Sequence, residues 1–520
     1  MDRLIIRNDA YFDSVFLMSL SAELSETPDL KVGQVVLGTP PNKQLLQSQG
    51  FDATVLDPLG PTDLIVALRA DSESTLITAE KRFFELLNRR QPSASHDAIE
   101  RPIGLDGALR SQPESNLVVI SVPGAYATME AQRALQAGLH VMLFSDNVSV
   151  QDEIALKQQA AKRGLLMMGP DCGTAIINGV MLGFANAVRS GPIGLVGASG
   201  TGTQEVTCLI HKLGSGVTQA IGTGGRDLTQ AVGGITTLCA IDALAADPAT
   251  RVIVVVSKPP AENVAKQVLD RLAHVNKPSV VHFVGLDRSD KNGSVQFVPD
   301  LASAAQAAVQ LAEGKPVSML RSPLPADLLN RARRAKTSKQ VALRGLFTGG
   351  TMAAEALAHL QAPLGQVLSN LGQGSAPATV VLPHQHAIID LGGDEYTQGR
   401  PHPMIDPSPR AERLMAEAEN DRLAVVLLDV VLGTGSHADP AGAMIPAIRQ
   451  TQQRAKDRGQ HVTVVASVTG TDGDSQGLDG QIAKLRQAEV IVLSSNRDAV
   501  RFAHAVIDEA IRNVVAVGAD

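Results

Sequence analysis

Several turns in this chain pair glycines with side chains able to hold an anion. In the first, Ile193–Thr203 (IGLVGASGTGT), an apolar run enters a glycine-rich turn and QEVTCLIHKLG follows as a helix. Backbone N–H groups at such a turn can face an anion, and the helix dipole favours negative charge there. Gly197, Ser199, Gly200 and Thr201 are therefore candidate phosphate-binding residues, with Ser199 also a candidate catalytic hydroxyl. The lysine of an NTPase P-loop is missing, so that motif is excluded. A tight strand–helix turn without any ligand uses the same glycines, and spacing alone does not separate the two readings. A second turn, Gly222–Leu228 (GTGGRDL), offers Gly224, Gly225 and Arg226. Arginine suits bidentate binding of phosphate or carboxylate. A simple surface pair between Arg226 and Asp227 is the competing reading.

Lys258 ends the apolar run RVIVVVS. Ligands of open α/β sheets bind beyond the carboxyl ends of the strands, so Lys258 is a candidate catalytic cation, or else a solvated turn residue. The C-terminal half carries DLGGDEY (390–396) and GRPHPMIDP (399–407), a polar stretch with Asp394, Glu395, Arg400, His402 and Asp406. His402 could serve as acid, base or phosphate contact, or be structural. Residues 429–440 (DVVLGTGSHADP) repeat the strand, turn and helix-start pattern. There Gly433, Thr434, Gly435 and Ser436 form a second candidate cradle, and Asp439 is placed to cap the next helix. His384 and His386 stand two apart without a clear third ligand, so no metal site is expected.

These turns need a rigid frame, and the apolar pattern supplies one. Runs such as NLVVISVPG, HVMLFSD, RVIVVVS, RLAVVLLDVV and HVTVVASVTG alternate with amphipathic helical segments. Continuous Val/Ile/Leu strands between helices predict an α/β protein with parallel sheets covered on both faces. A chain of 520 residues suggests three to four domains at roughly 100–200 residues each. Breaks are expected near 93–115, near 185–192 and at 314–343, where prolines and basic residues gather.

Composition narrows the classes. The net charge of −7 argues against a nucleic-acid surface, and so do three Tyr and no Trp. Cys172, Cys208 and Cys239 form no CxxC pair, which fits a reducing compartment. No signal-peptide pattern opens the chain and no run of about 18 apolar residues occurs, so a cytoplasmic protein without a membrane span is expected.

Taken in order, the motifs resemble the ligase-CoA superfamily. LMMGPDCGTAIING (166–179), GPIGLVGASGTGTQEV, GTGGRDL and NKPSVVHFVG resemble consecutive segments of succinyl-CoA synthetase α subunits. The β subunit's ligase domain is similar to DLGG (390–393) and LLDVVLGTGSHADPA. With HPMIDP and the N-terminal YFDSVFLMSLS, the chain is identified as a member of the FdrA family. The resemblance implies several Rossmann-like or flavodoxin-like domains of the succinyl-CoA synthetase type. Their expected limits are an N-terminal α/β domain at 1–112, a CoA-binding-like domain at 113–187 and an α-subunit-like ligase domain at 188–315. A linker at 316–343 and a β-subunit-like ligase domain at 344–520 complete the set.

The resemblance also implies that two helix N-termini, at Ser199–Thr201 and at Gly433–Ser436, converge on one phosphate. Departures shape the functional expectation. No histidine follows Gly285, where the synthetases carry the phosphoryl group; His282 lies inside the preceding run. Lys258 replaces a glutamate, and no ATP-grasp segment separates the halves. The family resemblance then implies an acyl- or carbamoyl-transferring subunit. The foremost expectation is an oxamate carbamoyltransferase-like enzyme of allantoin breakdown, working with separate partner subunits on a small anionic substrate. An acyl-CoA synthetase is the alternative, and a noncatalytic metabolite-binding scaffold the second. No cofactor is required by the residues; CoA remains one candidate, and a homo-oligomer is open.

Overall fold

The computed structural model describes residues 1–508 apart from 11, 13, 90–101, 103, 287, 320–321, 372–382 and 398–399. Gly399 of the GRPHPMIDP stretch lies outside the described residues, as does much of the expected break at 93–115.

The strands form four sheets. At the N-terminus β1 (Asp2–Arg7), β3 (Leu64–Ala70) and β2 (Leu30–Leu37) pair antiparallel in that spatial order. The strands β4 (Leu117–Ile120), β5 (His140–Leu143) and β6 (Met167–Met168) make a small parallel sheet.

The third sheet has eight strands. Its parallel centre runs β10 (Val217–Gly222), β9 (Ser190–Gly197), β11 (Val252–Ser257), β12 (Ser279–Phe283), β14 (Val295–Phe297). A short antiparallel strand, β13 (Lys291–Asn292), lies beyond β14. On the other side a hairpin of β7 (Thr174–Ile177) and β8 (Val180–Gly183) joins β10. Hydrogen bonding therefore runs across the segment 185–192.

The fourth sheet is wholly parallel: β16 (Val367–Ser369), β17 (His386–Asp390), β15 (Ala342–Phe347), β18 (Leu423–Val431), β19 (Thr463–Thr469), β20 (Ile491–Leu493). All nine residues of β18 and all six of β11 are buried, as expected of strands covered on both faces. Residues 316–343 include a helix, Ala326–Ala335, whose Leu329 and Ala332 enter the core of this last unit.

In each large parallel sheet the first strand lies inside the sheet, and the chain departs first to one side and then to the other. In the third sheet this gives the doubly wound order 2-1-3-4-5 within the parallel strands. A ligand crevice forms where the order reverses, at the carboxyl ends of the strands. At those points the helices Gly200–Lys212 and Gly350–Leu364 begin.

A buried polar seam joins the two large units. Asn186 Nδ2 donates to Asp474 Oδ2 (2.8 Å) and to the Leu432 carbonyl (2.9 Å). Glu205 accepts from Thr469 Oγ1 (2.6 Å) and from the Asn496 N–H (3.0 Å). Glu355 accepts from the Leu301 N–H (2.8 Å) and Asn496 Nδ2 (2.7 Å). Burial, with the nearby charge of Asp300, pushes the Glu355 carboxyl up to about 8 against the opposing effect of its hydrogen bonds. Its ordinary value is 4.5, so the folded state prefers the protonated acid. That contribution to stability is complete in acid and is lost as pH climbs from about 4.5 to about 8. Chemical denaturation of Glu355→Gln should therefore show a shallower loss of stability toward alkaline pH than the parent. Parallel curves would exclude Glu355 as the source.

The N-terminal unit docks on the rest through its Ser14–Ser25 helix. Met18 packs against the core that holds Phe184, Met404 and Ile405, and Glu26 lies 3.8 Å from His437 Nε2.

Candidate active site

The two helix starts meet. Ser199 occupies the N-cap position of the Gly200–Lys212 helix, yet its hydroxyl makes no capping bond. Instead it is hydrogen-bonded to Thr351 Oγ1 in the first turn of the Gly350–Leu364 helix. Glycines permit the approach. A Cβ at Gly349 would lie 2.2 Å from Thr201 Cγ2, and one at Gly202 would lie 2.7 Å from Thr351 Cγ2. Gly197 is required for the same turn, because a Cβ there would strike Thr203 Oγ1 at 1.9 Å. Gly200 faces Thr174 at the start of β7, whose Oγ1 would lie 3.2 Å from a Cβ there. Two positive helix ends thus border one cleft, where an anion gains from both.

Lys258 follows β11 and reaches this cleft: its Nζ lies 3.0 Å from a Cβ placed on Gly350. Asp390, at the end of β17, approaches the same point with Oδ2 at 2.7 Å, while its Oδ1 accepts from the Gly392 N–H (3.0 Å). Burial raises the Asp390 carboxyl to about 6 despite the opposing charge of Lys258.

His402 closes the neighbouring side. Its Nε2 lies 2.7 Å from a Cβ placed on Gly392, and its ring centroid is 5.8 Å from that of Phe184. Its Nδ1 accepts from the Met404 N–H (3.2 Å). Burial lowers the imidazole to about 4, so it is neutral at pH 7 with its proton on Nε2. His402 is therefore suited to donate a hydrogen bond; it is poorly suited to act as an imidazolium acid.

The turn at Gly349 is held from below. Asp429, fully buried on β18, accepts from the Thr348 N–H (2.9 Å) and from Thr348 Oγ1 (2.5 Å). Arg410 donates to Asp429 Oδ1 (3.0 Å) and to the Leu346 carbonyl (2.9 Å). Asp429 thus positions the start of the Gly350 helix.

Two expectations are corrected. The loop Gly433–Ser436 does not offer a free cradle opposite Ser199. Its N–H groups at 433, 434 and 436 are spent on Gln476 Oε1, the Ala185 carbonyl and the Gly433 carbonyl. Gly433 packs on Ala185 and Gly435 on the Phe184 ring. The helix start facing Ser199 is Gly349–Thr351, which spacing also announces: the run ALRGLF leads into TGGTMAAEAL, the same strand–glycine–helix pattern.

Arg226 is likewise engaged, with partners in the small-sheet unit. It pairs with buried Glu153 (2.9 Å) and donates to the Val148 carbonyl (2.8 Å). Lys157, also buried, bridges Glu153 (2.8 Å) and Asp227 (2.7 Å). Gly224 lies against the Pro170 carbonyl and Gly225 near Asp171. The GTGGRD turn thereby joins the small parallel sheet to the large one.

His282 is buried in β12 with Nδ1 3.1 Å from the Val298 carbonyl, and burial lowers it to about 4. It is no substitute for a phosphorylated histidine. Cys172 beside the cleft has its thiol pushed up to about 12 by burial, so it stays protonated. A crevice of about 620 Å³ lies elsewhere, between residues 275–278 and 314–317. Lys277 there already donates to the Leu244 and Asp247 carbonyls, and Lys315 pairs with Glu313.

Comparison with known proteins gives the class first: residues 346–506 match the CoA-ligase family model and 188–285 the CoA binding domain model. Residues 1–102 match the AllF heavy metal-associated domain model. The uncharacterised protein YahF of Escherichia coli is 44% identical over 508 residues, covering 95% of this chain and 96% of YahF. The chain belongs to the FdrA family, together with YahF.

A succinate–CoA ligase α subunit of Staphylococcus epidermidis is 28% identical over 184 residues, 34% of this chain and 58% of that subunit. Among solved structures, an acetyl-coenzyme A synthetase of Ca. Korarchaeum cryptofilum covers 75% of this chain and 82% of its own, at 16% identity and a TM-score of 0.29. An ATP citrate lyase from Methanothrix soehngenii covers 77% of this chain and 83% of its own, at 13% identity and a TM-score of 0.34. The family models and the succinate–CoA ligase match, rather than these structures, make the protein CoA-ligase-like at the level of class.

The N-terminal match does not bring a metal site with it. Residues 1–102 contain no cysteine, and their one histidine, His96, lies outside the described residues. Among the described residues no three His, Cys, Asp or Glu side chains are grouped to hold a metal ion. A soft metal needs thiolate or imidazole ligands, so these residues do not fit one. Among the described residues no helix is long and apolar enough to cross a membrane.

Proposed function

We propose that this chain moves an acyl group between phosphate and the thiol of CoA, the part of an acid–CoA ligase reaction that needs no nucleotide. The observation that carries this reading is the meeting of the Ser199 and Thr351 helix starts with Lys258 beside them. An acyl phosphate would lay its phosphate across both helix ends, with Lys258 compensating its charge. The neutral His402, through Nε2–H, would donate to the acyl oxygen as negative charge develops there. Positioned donors of this kind act mainly by fixing geometry and stabilising developing charge. Lys258 in place of a glutamate favours an anion over a phosphorylated side chain.

CoA as acceptor rests on kinship with CoA ligases. It does not rest on the turn after β4: a Cβ at Gly124 would lie 2.3 and 2.6 Å from the Asp146 and Asn147 carbonyls, so that turn is filled by the chain itself. CoA enters here simply as the thiol.

The test is phosphate release from acetyl phosphate and from carbamoyl phosphate, each with CoA, with oxamate, or with neither. Release that requires CoA and yields a thioester is expected. Release from carbamoyl phosphate that requires oxamate would transfer the assignment to carbamoyl transfer. No acceptor-dependent release from either donor would sink both readings and leave a metabolite-binding scaffold.

A further inference from the structure

We infer that Asp390 is a catalytic residue of this site, the group that hands a proton to the phosphate oxygen as its bond to the acyl carbon breaks. The inference rests on the phosphate–acyl transfer reading above. Three observations converge on it.

The first is aim. Asp390 is 6% exposed, its Oδ1 is held by the Gly392 N–H, and among the described residues no hydrogen-bond donor reaches its Oδ2. That oxygen points at the first residue of the Gly350 helix, where Lys258 Nζ also arrives.

The second is rigidity. The Asp390 backbone is fixed on both sides by Asn370, whose Nδ2 donates to the Asp390 carbonyl (2.8 Å) and whose Oδ1 accepts from the Asp390 N–H (2.9 Å). That clasp fixes where the side chain starts, and the Gly392 N–H bond to Oδ1 holds the carboxyl itself in place.

The third is electrostatic sense. A fixed carboxylate facing an anion repels it, whereas a carboxylic acid donates to it. The surroundings hold the proton on Asp390 into the weakly acid range. The groups that face it are Lys258 from the end of β11, Asp429 from β18, Glu395 from the helix Asp394–Thr397, and His402 across Gly392. Asp429 is tied to Arg410 and Thr348, and Glu395 accepts from Asn370 (2.8 Å). His402 is neutral above about pH 4 and adds no charge.

The step balances. The thiol sulfur attacks the acyl carbon, and the bond from that carbon to the phosphate oxygen breaks with its electron pair passing to the oxygen. Asp390 gives that oxygen its proton, and the proton released by the thiol returns to Asp390. In the opposite direction the Asp390 carboxylate takes the proton of attacking hydrogen phosphate.

Two measurements test this, one of which needs no turnover. Sulfate, which keeps two charges across the range used, serves as the anion probe in calorimetric titrations at about pH 5 and about pH 8. The parent protein should bind sulfate at least several-fold more weakly at the higher pH, because Asp390 then carries charge. Asp390→Asn should bind with nearly the same affinity at both, and Asp390→Ser, should the first variant not fold, should do likewise. An equal fall in parent and variants, or no sulfate binding by any of them, overturns the inference.

In turnover with acetyl phosphate and CoA, Asp390→Asn should lose at least 100-fold in kcat with a smaller change in KM. Full kcat in that variant overturns the proton-transfer role. If no acyl transfer is found with any acceptor while the sulfate result holds, the transfer reading falls and the acid remains as an anion-sensing group.

Discussion

Lys258→Ala is expected to lower turnover by on the order of 100- to 1000-fold, the scale seen when one preorganised donor to developing charge is removed. That corresponds to about 3–4 kcal/mol of transition-state stabilisation. The reason is local: Lys258 Nζ and Asp390 Oδ2 flank Gly350, and without the ammonium a carboxyl is left to face the phosphate. Stability should change little, because Lys258 sits in a half-buried turn and closes no core cluster. Thermal melts of parent and variant should therefore coincide while rates diverge. Lys258→Arg should recover part of the loss, since the charge persists but the guanidinium is larger. Unchanged rates in Lys258→Ala would point to a scaffold in which the cleft does no chemistry.

Gly349→Ala should damage both folding and turnover, for a purely steric reason. The backbone at Gly349 is extended (φ −147°), a conformation that any residue adopts, so no torsional strain is involved. The added methyl would instead lie 2.2 Å from Thr201 Cγ2 and 2.4 Å from its Oγ1. Overpacking of this kind costs about 1–3 kcal/mol. The helix starts must then part, and the Ser199–Thr351 contact with them. A fall in melting temperature and a loss of turnover on the order of 100-fold follow from a displacement near 1 Å. Shortening the partner provides the control. Thr201→Ala in the same chain should restore much of both, and a double-mutant cycle should show strong coupling. Additive effects would mean that the two residues do not meet.

The sequence made the architecture readable because buried parallel strands leave an unambiguous trace. RVIVVVS and RLAVVLLDVV are strands in either view. The first strand-to-helix turn is equally legible, since GASGTG couples a strand end to a helix start. The second was placed at GTGSH, where glycines serve a turn against Ala185 and Phe184 whose N–H groups are consumed internally. Glycine patterns report backbone curvature, and whether the N–H groups are free depends on distant partners such as Gln476. FTGGT carries the same pattern with less ornament, and its role emerges only when β15 and β9 are brought side by side through their helices. Arg226 illustrates the same limit: its partner Glu153 lies far away in sequence. Asp390 stood in a recognised motif, DLGG, yet its burial and aim are properties of three elements together.

One chain carries both helix starts, Ser199 on one unit and Thr351 on the other. Where such halves belong to separate subunits, each active cleft exists only while the subunits remain bound, and it is lost on dilution. A covalent connection replaces that bimolecular encounter by an internal one, with a local concentration on the order of millimolar or more. The cleft described here is therefore assembled as often as the chain is folded, at any cellular abundance. Bringing these two halves together requires no encounter between separate chains.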